Sequence, residues 1–480
     1  MKFIGKSVYR KESWEKVTGK AKYTNDDETV GMLHGKLVTS PYAHAKIVQI
    51  TISDALKIKG VRAIITGDNL PLTGEEIRDR PPVAVDRVRY YGEVVAIVVA
   101  DSMATAQLAA NQVQVAYDPL PVVNSPREAL HRAAPLLHEQ LGSYHKIEGV
   151  YPVPGTNIAS KIKIRKGNMQ KGWEESDVTV LASYSFHPSD HAAMETRCSL
   201  AQIHDNGIIE ITSSSQAPFM IKKLIAAYFQ IPSGNIIVKT PLVGGGYGGK
   251  ASIQLEILAY IASKAVNGRL VKIANNREED MVTAPGHIGL DATIKLGCTK
   301  NGLLKAAKLL YLWDSGAYSD KSTDLARAGA VDCTGPYRIE HIYCDSLSMY
   351  TNHPYPGPFR GFSHSEVHFA FERTMDMLAN KLNMDPLEFR YKNAIRPGDT
   401  SPSQVKLNTS NVGNVRQCLS RLKELIRWDE GRITAVGKNK VKAKGISCLW
   451  KNSTIDTNSS SGVILTFNPD GSINIISGVV

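Results

Sequence analysis

The chain has 480 residues, of which 42% are hydrophobic and 21% charged, with a formal net charge of +11. This composition is that of a folded globular protein with room for two or three domains, and it excludes a disordered or fibrous class. The basic residues are spread along the chain without the interleaved aromatic side chains of a base-stacking surface, so nucleic acid is not a predicted partner.

The six cysteines are widely spaced and form no C-x-x-C pair. Their spacing excludes a usual zinc or iron–sulfur framework within this chain and predicts free thiols in a reducing compartment. The longest apolar run, residues 94–100, is too short to span a bilayer, and the N-terminal residues lack the apolar segment of a signal peptide. We therefore predict a cytoplasmic location and no membrane partner.

The chain predicts an α+β protein with a first domain over residues 1–123. Residues 124–156 are rich in proline and lack clean periodicity, which predicts a linker. A larger second domain is predicted over 157–480. The first domain is predicted to contain four strands, at 31–38, 46–52, 61–66 and 93–100, and one alanine-rich helix at 103–113.

The second domain contains a loop of Val-Gly-Gly-Gly-Tyr-Gly-Gly-Lys at residues 243–250. Glycine has no side chain to pack, so five glycines in six positions indicate that the backbone must approach something closely. A strand is predicted before the loop at 236–240, and a helix directly after it at 251–266. Together these elements would form a nest of backbone N–H groups that binds phosphate or another oxyanion.

The same residues also match the G-x-x-x-x-G-K spacing of a P-loop. A P-loop requires Ser or Thr after the lysine to hold magnesium, and this chain has Ala251 there. No strand ending in a magnesium-binding aspartate is evident downstream. Nucleotide binding and a purely structural glycine turn remain as alternative interpretations.

Further along the chain, a strand-rich stretch is predicted at 291–317 and a long amphipathic helix at 365–382. Just before this helix, three prolines and two glycines in residues 351–362 fix a loop that presents Phe359, Arg360 and Phe362. A guanidinium between two aromatic rings suits an oxyanion beside a flat ring. Alone, such a loop is more often structural; beside the glycine loop it becomes a candidate second wall of one site.

The last residues predict a β-hairpin, with strands at 463–467 and 473–477 around the turn 468–471. The hairpin is apolar, and an uncovered edge strand of this kind would be adhesive. We expect another polypeptide, or a continuation of this one, to cover it.

Two sets of residues permit a metal-binding interpretation. His364 and His368 lie four residues apart on one helical face, a spacing that can hold zinc. His187, His191 and Glu195 form a second possible set. The plainer interpretation of the first set is polar residues at a helix start.

These motifs together resemble the molybdopterin-binding subunit of the xanthine dehydrogenase and aldehyde oxidase family, the molybdenum hydroxylases. Residues 244–250 are similar to that family's Gly-Gly-Gly-Phe-Gly-Gly-Lys loop, with Tyr247 in place of Phe, and residues 359–362 are similar to its Phe-Arg-Gly loop. Further similar segments cover nearly the whole chain, at 88–93, 117–121, 191–195, 215–218, 316–318 and 382–393.

The resemblance implies a hammerhead-type α/β domain followed by the first half of a molybdopterin-binding domain. It also implies a molybdenum–molybdopterin cofactor, expected in its cytosine dinucleotide form. The residues implied to bind this cofactor lie in three segments: Gln216, Gly245, Gly246, Tyr247, Gly248, Phe359, Arg360 and Gly361.

Specific roles follow from the same resemblance, which also implies that His187, His191 and Glu195 are buried supports near the cofactor. Gln216 would hydrogen-bond a molybdenum oxo group, and Tyr247 and Arg360 would complete the molybdenum environment. Phe362 would stack on an aromatic substrate. Arg327 lies near a family position that binds polar groups of the substrate.

The resemblance further implies hydroxylation of an electron-poor carbon with oxygen from water. Electrons would leave through 2Fe-2S and FAD groups on partner subunits. The family's Gly-Gln-Gly pterin loop and catalytic glutamate are not recognisable here. We therefore expect no catalytic residue in this chain, and a second molybdopterin-domain subunit that supplies the base, as in split nicotinate dehydrogenases.

The substrate is expected to be a small N-heteroaromatic acid such as nicotinate. Purine-oxidising members tend to carry Glu where this chain has Ala251, and carbon monoxide dehydrogenases place a cysteine after the arginine that corresponds to Arg360. A purine or an aldehyde is the second choice. A scaffold subunit that has lost its cofactor is the non-enzymatic alternative.

Overall fold

The structure, a computed structural model, describes residues 4–451 and 461–478. Its first 123 residues contain the four predicted strands and the predicted helix, together with short additional elements. The strands are β1 (Leu33–Thr39), β2 (Ala45–Thr51), β3 (Val61–Ile65), β4 (Arg87–Val88), β5 (Val94–Ala100) and β6 (Gln114–Pro119), and the helices are α1 (Ser13–Val17), α2 (Ser53–Leu56) and α3 (Met103–Ala110).

From residue 124 to the end of the glycine loop, strands outnumber helices. The predicted strand before the loop is confirmed. The elements are α4 (Pro126–Ala129), β7 (Ile158–Lys166), α5 (Met169–Glu174), β8 (Val178–Phe186), β9 (Cys198–Ile203), β10 (Ile209–Ser213), α6 (Pro218–Phe229) and β11 (Ile236–Lys239).

The elements after the glycine loop include the two strands predicted at 291–317 and the long helix predicted at 365–382, both confirmed. They are α7 (Leu255–Ala265), β12 (Val271–Ala274), α8 (Arg277–Thr283), β13 (Gly286–His287), β14 (Gly289–Cys298), β15 (Leu304–Asp314), α9 (Ser322–Val331), β16 (His341–Met349), β17 (Pro356–Gly357), α10 (His364–Lys381), α11 (Pro386–Asn393), α12 (Val415–Leu425), β18 (Ile433–Gly437), β19 (Lys440–Ala443), β20 (Val463–Phe467) and β21 (Ile473–Ser477).

The larger of two main sheets has seven strands in the order β11-β10-β9-β12-β1-β5-β3. Three of its strands come from the first 123 residues and four from beyond residue 190. The join is the parallel pair β1 and β12, with Leu33 opposite Val271. Because one sheet crosses the predicted boundary, the division into domains at residues 123 and 156 stays a sequence prediction.

Two parallel strands of this sheet position the glycine loop. Strand β10 pairs in parallel with β11, with Ile209 opposite Ile236. The segment after β10 leads to Gln216, and the segment after β11 leads to the glycine loop. Since parallel strands end at the same edge of a sheet, these two stretches lie side by side.

The second main sheet has the order β7-β16-β15-β14-β8. Helices α9 and α10 pack against it, and the core between them contains the fully buried Trp313, Phe371 and Met375. The predicted inward face of α10 is confirmed, since Val367 and Leu378 are also buried. Helix α10 follows the Phe359 loop directly, so this core anchors the second candidate wall.

Residues 124–156 pack against the second sheet. Leu137, Leu141 and Val150 are buried in a cluster with Leu312 and Tyr350. Helix α9 has a polar contact with the N-terminal part of the chain. The buried carboxylate of Glu76 accepts hydrogen bonds from the first turn of this helix. The N-terminal part of the chain therefore contacts the second sheet through apolar side chains and helix α9 through hydrogen bonds.

The C-terminal hairpin is confirmed in register, with Val463 opposite Ser477 and Phe467 opposite Ile473. Its large apolar side chains are exposed, with Phe467 at 73% and Ile464 at 62% of full exposure. The end of this predicted segment, residues 479–480, lies outside the described residues. The expectation that something covers the hairpin stays a prediction.

All six cysteines lie within the described residues and carry free thiols. Five are buried, and Cys418 is exposed. Within residues 4–451 and 461–478, no helix combines the length and the apolar character that crossing a lipid bilayer requires.

Glu76 makes the polar contact with helix α9. Its Oε2 accepts hydrogen bonds from Thr323 N, at 3.1 Å, from the Thr323 hydroxyl, and from Asp324 N, at 3.2 Å. Burial raises the pKa of Glu76 from 4.5 to about 8, although the hydrogen bonds from Thr323 and Asp324 lower it. The folded protein therefore holds a proton here that the unfolded chain releases near pH 4.5.

The proton on Glu76 makes the free energy of unfolding depend on pH. The contribution of Glu76 to this free energy is complete below about pH 4.5, and it falls by about 1.4 kcal/mol per pH unit as the pH rises to about 8. Glu76→Gln should remove that slope, because its amide does not ionise. Urea unfolding between pH 5 and 8 measures the effect, with the exposed Glu148→Gln as control. Equal slopes in all three proteins would contradict the prediction.

Candidate functional site

The glycine loop turns through backbone conformations that favour glycine. The φ angles are 101° at Gly245, 56° at Tyr247 and 105° at Gly248. A Cβ on Gly248 would clash with the carbonyl oxygen of Pro358, and one on Gly249 would lie 2.6 Å from the ring of His191. Part of the glycine pattern therefore serves contacts within the protein.

The predicted helix at 251–266 is wrong in its start. Helix α7 begins at Leu255, and the four residues after Lys250 have no helical structure. Ser252, Ile253 and Gln254 are buried, and the Gln254 side chain donates to the carbonyl of Thr283. These tertiary contacts keep the segment out of the helix, so the helix N-terminus does not directly follow the loop.

Lys250 also argues against a P-loop. Its Nζ lies 2.7 Å from Oε2 of Glu195, and its side chain is 2% exposed. A P-loop lysine must reach the phosphates, whereas this ammonium is held behind the loop. The same Glu195 oxygen accepts the Gly244 N–H at 2.7 Å, so one carboxylate holds both ends of the glycine run.

Arg197 supports the loop from the same side. It is buried, donates to the carbonyl of Gly249, and pairs with Asp280 at 3.2 Å. Residues 195 and 197 are two apart, as expected for side chains on one face of an extended segment. Sequence reasoning missed Arg197, although that alternation was a usable signal.

The opposite side of the loop presents unpaired donors. None of the backbone N–H groups of Gly245, Gly246 and Tyr247 donates to an acceptor within the described residues. Successive free amides of this kind form an anion-binding nest. The anion-binding nest stays a prediction, and its candidate donors come from the loop alone.

Gln216 is oriented by the same loop. Its Oε1 accepts from Gly248 N at 2.9 Å and from Lys250 N at 3.4 Å. This pattern places the oxygen toward the loop and leaves the side-chain NH2, which has no acceptor among the described residues, as a donor. The side chain is exposed, so that donor is available to a ligand.

The Phe359 loop presents a second row of donors. The N–H groups of Phe359, Arg360 and Gly361 have no acceptor in the described parts of the chain. Positive φ angles of 120° at Gly361 and 51° at Phe362 turn the chain sharply before helix α10. The strain is offset by the buried packing of that helix.

The two loops meet. The guanidinium carbon of Arg360 lies 5.5 Å from the centre of the Tyr247 ring, and Arg360 is exposed. It forms no ion pair with any described residue. The structure thus brings the eight residues predicted to bind the cofactor close together. Seven of them lie in the two loops, and the eighth, Gln216, contacts the glycine loop.

Phe359 is fixed between two histidines. Its ring stacks on His191 at 4.6 Å and lies 4.7 Å from His287. His287 pairs in turn with the fully buried Glu366, with 2.6 Å between Nε2 and Oε1. Nothing in the sequence pattern signalled His287 or Glu366, because the short pair of β13 and β17 brings them here.

The two predicted substrate residues are placed differently. Phe362 is half-buried and packs against the core that contains Leu325. Arg327 pairs with Asp324 on helix α9 and lies beside Gly149. Among the described contacts of Arg327, none reaches the glycine loop or the Phe359 loop, so its substrate role stays a prediction.

The alternative metal sites have other partners. His364 hydrogen-bonds to Asp332 through Nε2 and to backbone carbonyls through Nδ1, and His368 Nδ1 bonds to the His364 carbonyl. His187 is exposed, so its predicted role as a buried support is wrong, whereas His191 is buried and Glu195 is half-buried. These nitrogens are engaged in holding the fold.

A further acidic cluster joins Glu175, Glu340 and His341. Lys305 already lies 3.1 Å from Glu175 and 3.4 Å from Glu340. His341 Nδ1 accepts the Asn168 N–H, so its Nε2 carries the proton and cannot ligate a metal in that tautomer. A lysine rather than a metal ion neutralises this cluster.

The donors of the two loops fit a large anionic group. Six free amides, the Gln216 NH2 and the unpaired Arg360 guanidinium would meet oxo, thiolate or phosphate acceptors. The carboxylates next to the loops, Glu195 and Glu366, are buried and paired with Lys250 and His287. Neither is placed to serve as a base on the open side.

Comparisons with known proteins agree with this arrangement. Residues 150–394 match the molybdopterin cofactor-binding domain, and residues 18–121 match the a/b hammerhead domain of aldehyde oxidase and xanthine dehydrogenase. The first match covers slightly more than half of the chain and includes both loops.

Curated relatives and a solved structure give the same picture. The xanthine dehydrogenase molybdenum-binding subunit of Escherichia coli is 31% identical over 98% of this chain and 62% of its own length. The nicotinate dehydrogenase large molybdopterin subunit of Eubacterium barkeri is 27% identical over 92% of this chain and 98% of its own length. The aldehyde oxidoreductase from Desulfovibrio gigas superposes with a TM-score of 0.81 at 27% identity, over 97% of this chain and 51% of that one.

The chain therefore spans less than two thirds of the Escherichia coli relative, at 62%, and about half of the solved structure, at 51%. The shared part contains the glycine loop, Gln216 and the Phe359 loop. The similarity in fold extends beyond the motifs that first indicated it.

The contact between the loops can be tested at Gly248. Gly248→Ala should destabilise the protein by about 3 kcal/mol or more, because its methyl group meets the Pro358 carbonyl. Gly207→Ala is the matched control, since Gly207 has a φ of 80° with nothing within 4 Å of a Cβ. That control should lose only about 1 kcal/mol. Equal losses in urea unfolding would show that the steric contact is unimportant.

Proposed function

The chain belongs to the xanthine dehydrogenase and aldehyde oxidase family, the molybdenum hydroxylases, and we propose that it is the molybdopterin-binding subunit of a dehydrogenase that hydroxylates a nicotinate-like acid. Such a reaction oxidises an electron-poor carbon of a small N-heteroaromatic ring. The observation that carries the proposal is the pair of loops in contact, which together carry six backbone amides without a described acceptor.

When bound, the molybdenum cofactor supplies the two-electron oxidation and the transfer of oxygen from water to carbon. The protein residues bind and orient. The amides of residues 245–247 and 359–361 would hold the cofactor from two sides, and the Gln216 NH2 would donate to an oxygen on the metal. Arg360 and Tyr247 would complete the molybdenum environment, with developing negative charge stabilised by the guanidinium.

An acidic substrate is supported by the electrostatics of the open side. Arg360 is exposed and forms no ion pair with a described residue, whereas the carboxylates of Glu195 and Glu366 are already paired with Lys250 and His287. A carboxylate on the substrate ring would meet this guanidinium. The half-buried Phe362 is proposed to offer its free face to the ring, and Arg327 to bind polar substrate groups.

A purine is the second candidate. The xanthine dehydrogenase relative from Escherichia coli is more similar in sequence, at 31% identity, than the nicotinate dehydrogenase relative, at 27%. Against it, this chain carries Ala251 after the glycine-loop lysine. A methyl group at that position cannot hydrogen-bond a purine, so the acid remains first.

The proposal includes partners. Because Glu195 and Glu366 are both paired, the general base is proposed to come from a second molybdopterin-domain polypeptide. We also propose 2Fe-2S and FAD groups on further subunits, the cytosine dinucleotide form of the cofactor, and a cytoplasmic location. The exposed apolar hairpin of β20 and β21 is a proposed contact for the second polypeptide.

The first test is metal analysis of the natively purified protein with the chains that accompany it. Molybdenum and iron near stoichiometry are expected, with selenium measured in the same sample. Nicotinate, xanthine and an aldehyde are then compared as substrates with an artificial electron acceptor. Absence of molybdenum from the intact native complex would overturn the function, and faster turnover of xanthine would replace the acid by a purine.

Arg360→Ala should lower the molybdenum content or the turnover of the assembled complex by about tenfold or more, because an anion loses its charged partner. Arg360→Lys should recover only part of this loss, since an ammonium lacks the planar pair of donors. Arg132→Ala, an exposed arginine outside both loops, is the control. Unchanged metal content and rate in Arg360→Ala would place the site elsewhere.

A further inference from the structure

His191 touches both loops of the candidate site. Its Nε2 lies 2.7 Å from the carbonyl oxygen of Pro358, and its ring stacks on Phe359 at an interplanar angle of 23°. On its other side, the ring occupies the space that a Cβ on Gly249 would need, at 2.6 Å. Gly249 and Pro358 adjoin the two rows of free amides, so one side chain contacts the base of both.

The hydrogen bond fixes the state of the imidazole. A carbonyl oxygen only accepts, so Nε2 must carry the proton. Nδ1 is buried and has no hydrogen-bond partner among the described residues. A second proton on Nδ1 would be buried without an acceptor and would lie near Arg197 and His287. Burial lowers the pKa of His191, and the charge of Arg197 lowers it further, whereas the hydrogen bond to Pro358 and the charge of Asp190 raise it.

We propose that His191 is a positioning residue that holds the amides of residues 245–247 and 359–361 in one fixed arrangement through its Nε2–H donor. The inference rests on the proposed function, in which the ligand of those amides is the molybdenum cofactor. His191 acts through its contacts with Gly249, Pro358 and Phe359.

Two properties of the side chain can be separated. Phenylalanine at this position keeps a flat ring for stacking on Phe359 but has no donor. Glutamine places its Nε2 the same number of bonds from Cβ as histidine does, so it keeps the donor without the ring. If the hydrogen-bond donor positions the loops, His191→Gln should keep them ordered and His191→Phe should not. If only packing of the ring matters, His191→Phe should keep the loops better ordered than His191→Gln.

The experiment compares wild type, His191→Phe and His191→Gln as the full native complex. The first measurement is the rate at which molybdenum is lost during dialysis. The second is tryptic cleavage after the exposed Arg360 in protein produced without molybdate, which reports the order of the Phe359 loop without any cofactor. We expect the rate of molybdenum loss and the rate of cleavage after Arg360 to be about tenfold higher in His191→Phe than in wild type. Both rates in His191→Gln should lie within about threefold of the wild-type rates. Thermal unfolding of each variant controls for global loss of structure.

The outcomes are distinct. Wild-type rates in His191→Phe, or equal acceleration in both variants that follows a fall in melting temperature, would overturn the role of the donor. A wild-type complex without molybdenum would instead overturn the proposed function. In that case the cleavage rates after Arg360 would still decide whether His191 couples the two loops.

Discussion

The ion pair between Glu195 and Lys250 is the constraint on which the candidate site depends. A run of glycines has no side chains with which to hold its own shape, so the groups that define it must come from outside the run. One oxygen of Glu195 accepts from the first amide of the run and from the lysine that ends it, both at 2.7 Å. Burying these charges is tolerated because each has a hydrogen-bonded partner; removal of one partner of such a pair typically costs about 3–5 kcal/mol.

The glycine loop combines close internal contacts with unpaired amides. Glycines at residues 246, 248 and 249 make room for Gln216, Pro358 and His191, which lie where side chains would otherwise stand. The amides of residues 245–247 have no acceptor among the described residues. The same combination recurs at the Phe359 loop, where two histidines hold the ring and the amides of residues 359–361 have no described acceptor. Tight internal packing is therefore what allows both rows of donors to stay unsatisfied and fixed.

The sequence predicted much of the regular structure. Short apolar stretches located β1, β2, β3 and β5, and the apolar stripe of α10 was correct in its buried face, because burial of one helix face imposes a period that the sequence must carry. The helix start at residue 251 was wrong. Residues 251–254 have helix-compatible side chains, but the burial of Ser252, Ile253 and Gln254 outweighs local propensity. Tertiary contacts of this kind do not produce a periodic pattern of apolar residues in the sequence.

Composition and spacing alone indicated two candidate segments, the glycine loop and the loop at 359–361, since close backbone approach demands glycine and a fixed turn demands proline. Gln216 was named only because of the family resemblance. Tertiary structure alone decided which way these groups face. The parallel pair of β10 and β11 sets Gln216 beside the loop, and the short pair of β13 and β17 brings His287 to Phe359. These partners are distant in sequence, and their pairing depends on sheet order, which local sequence does not encode.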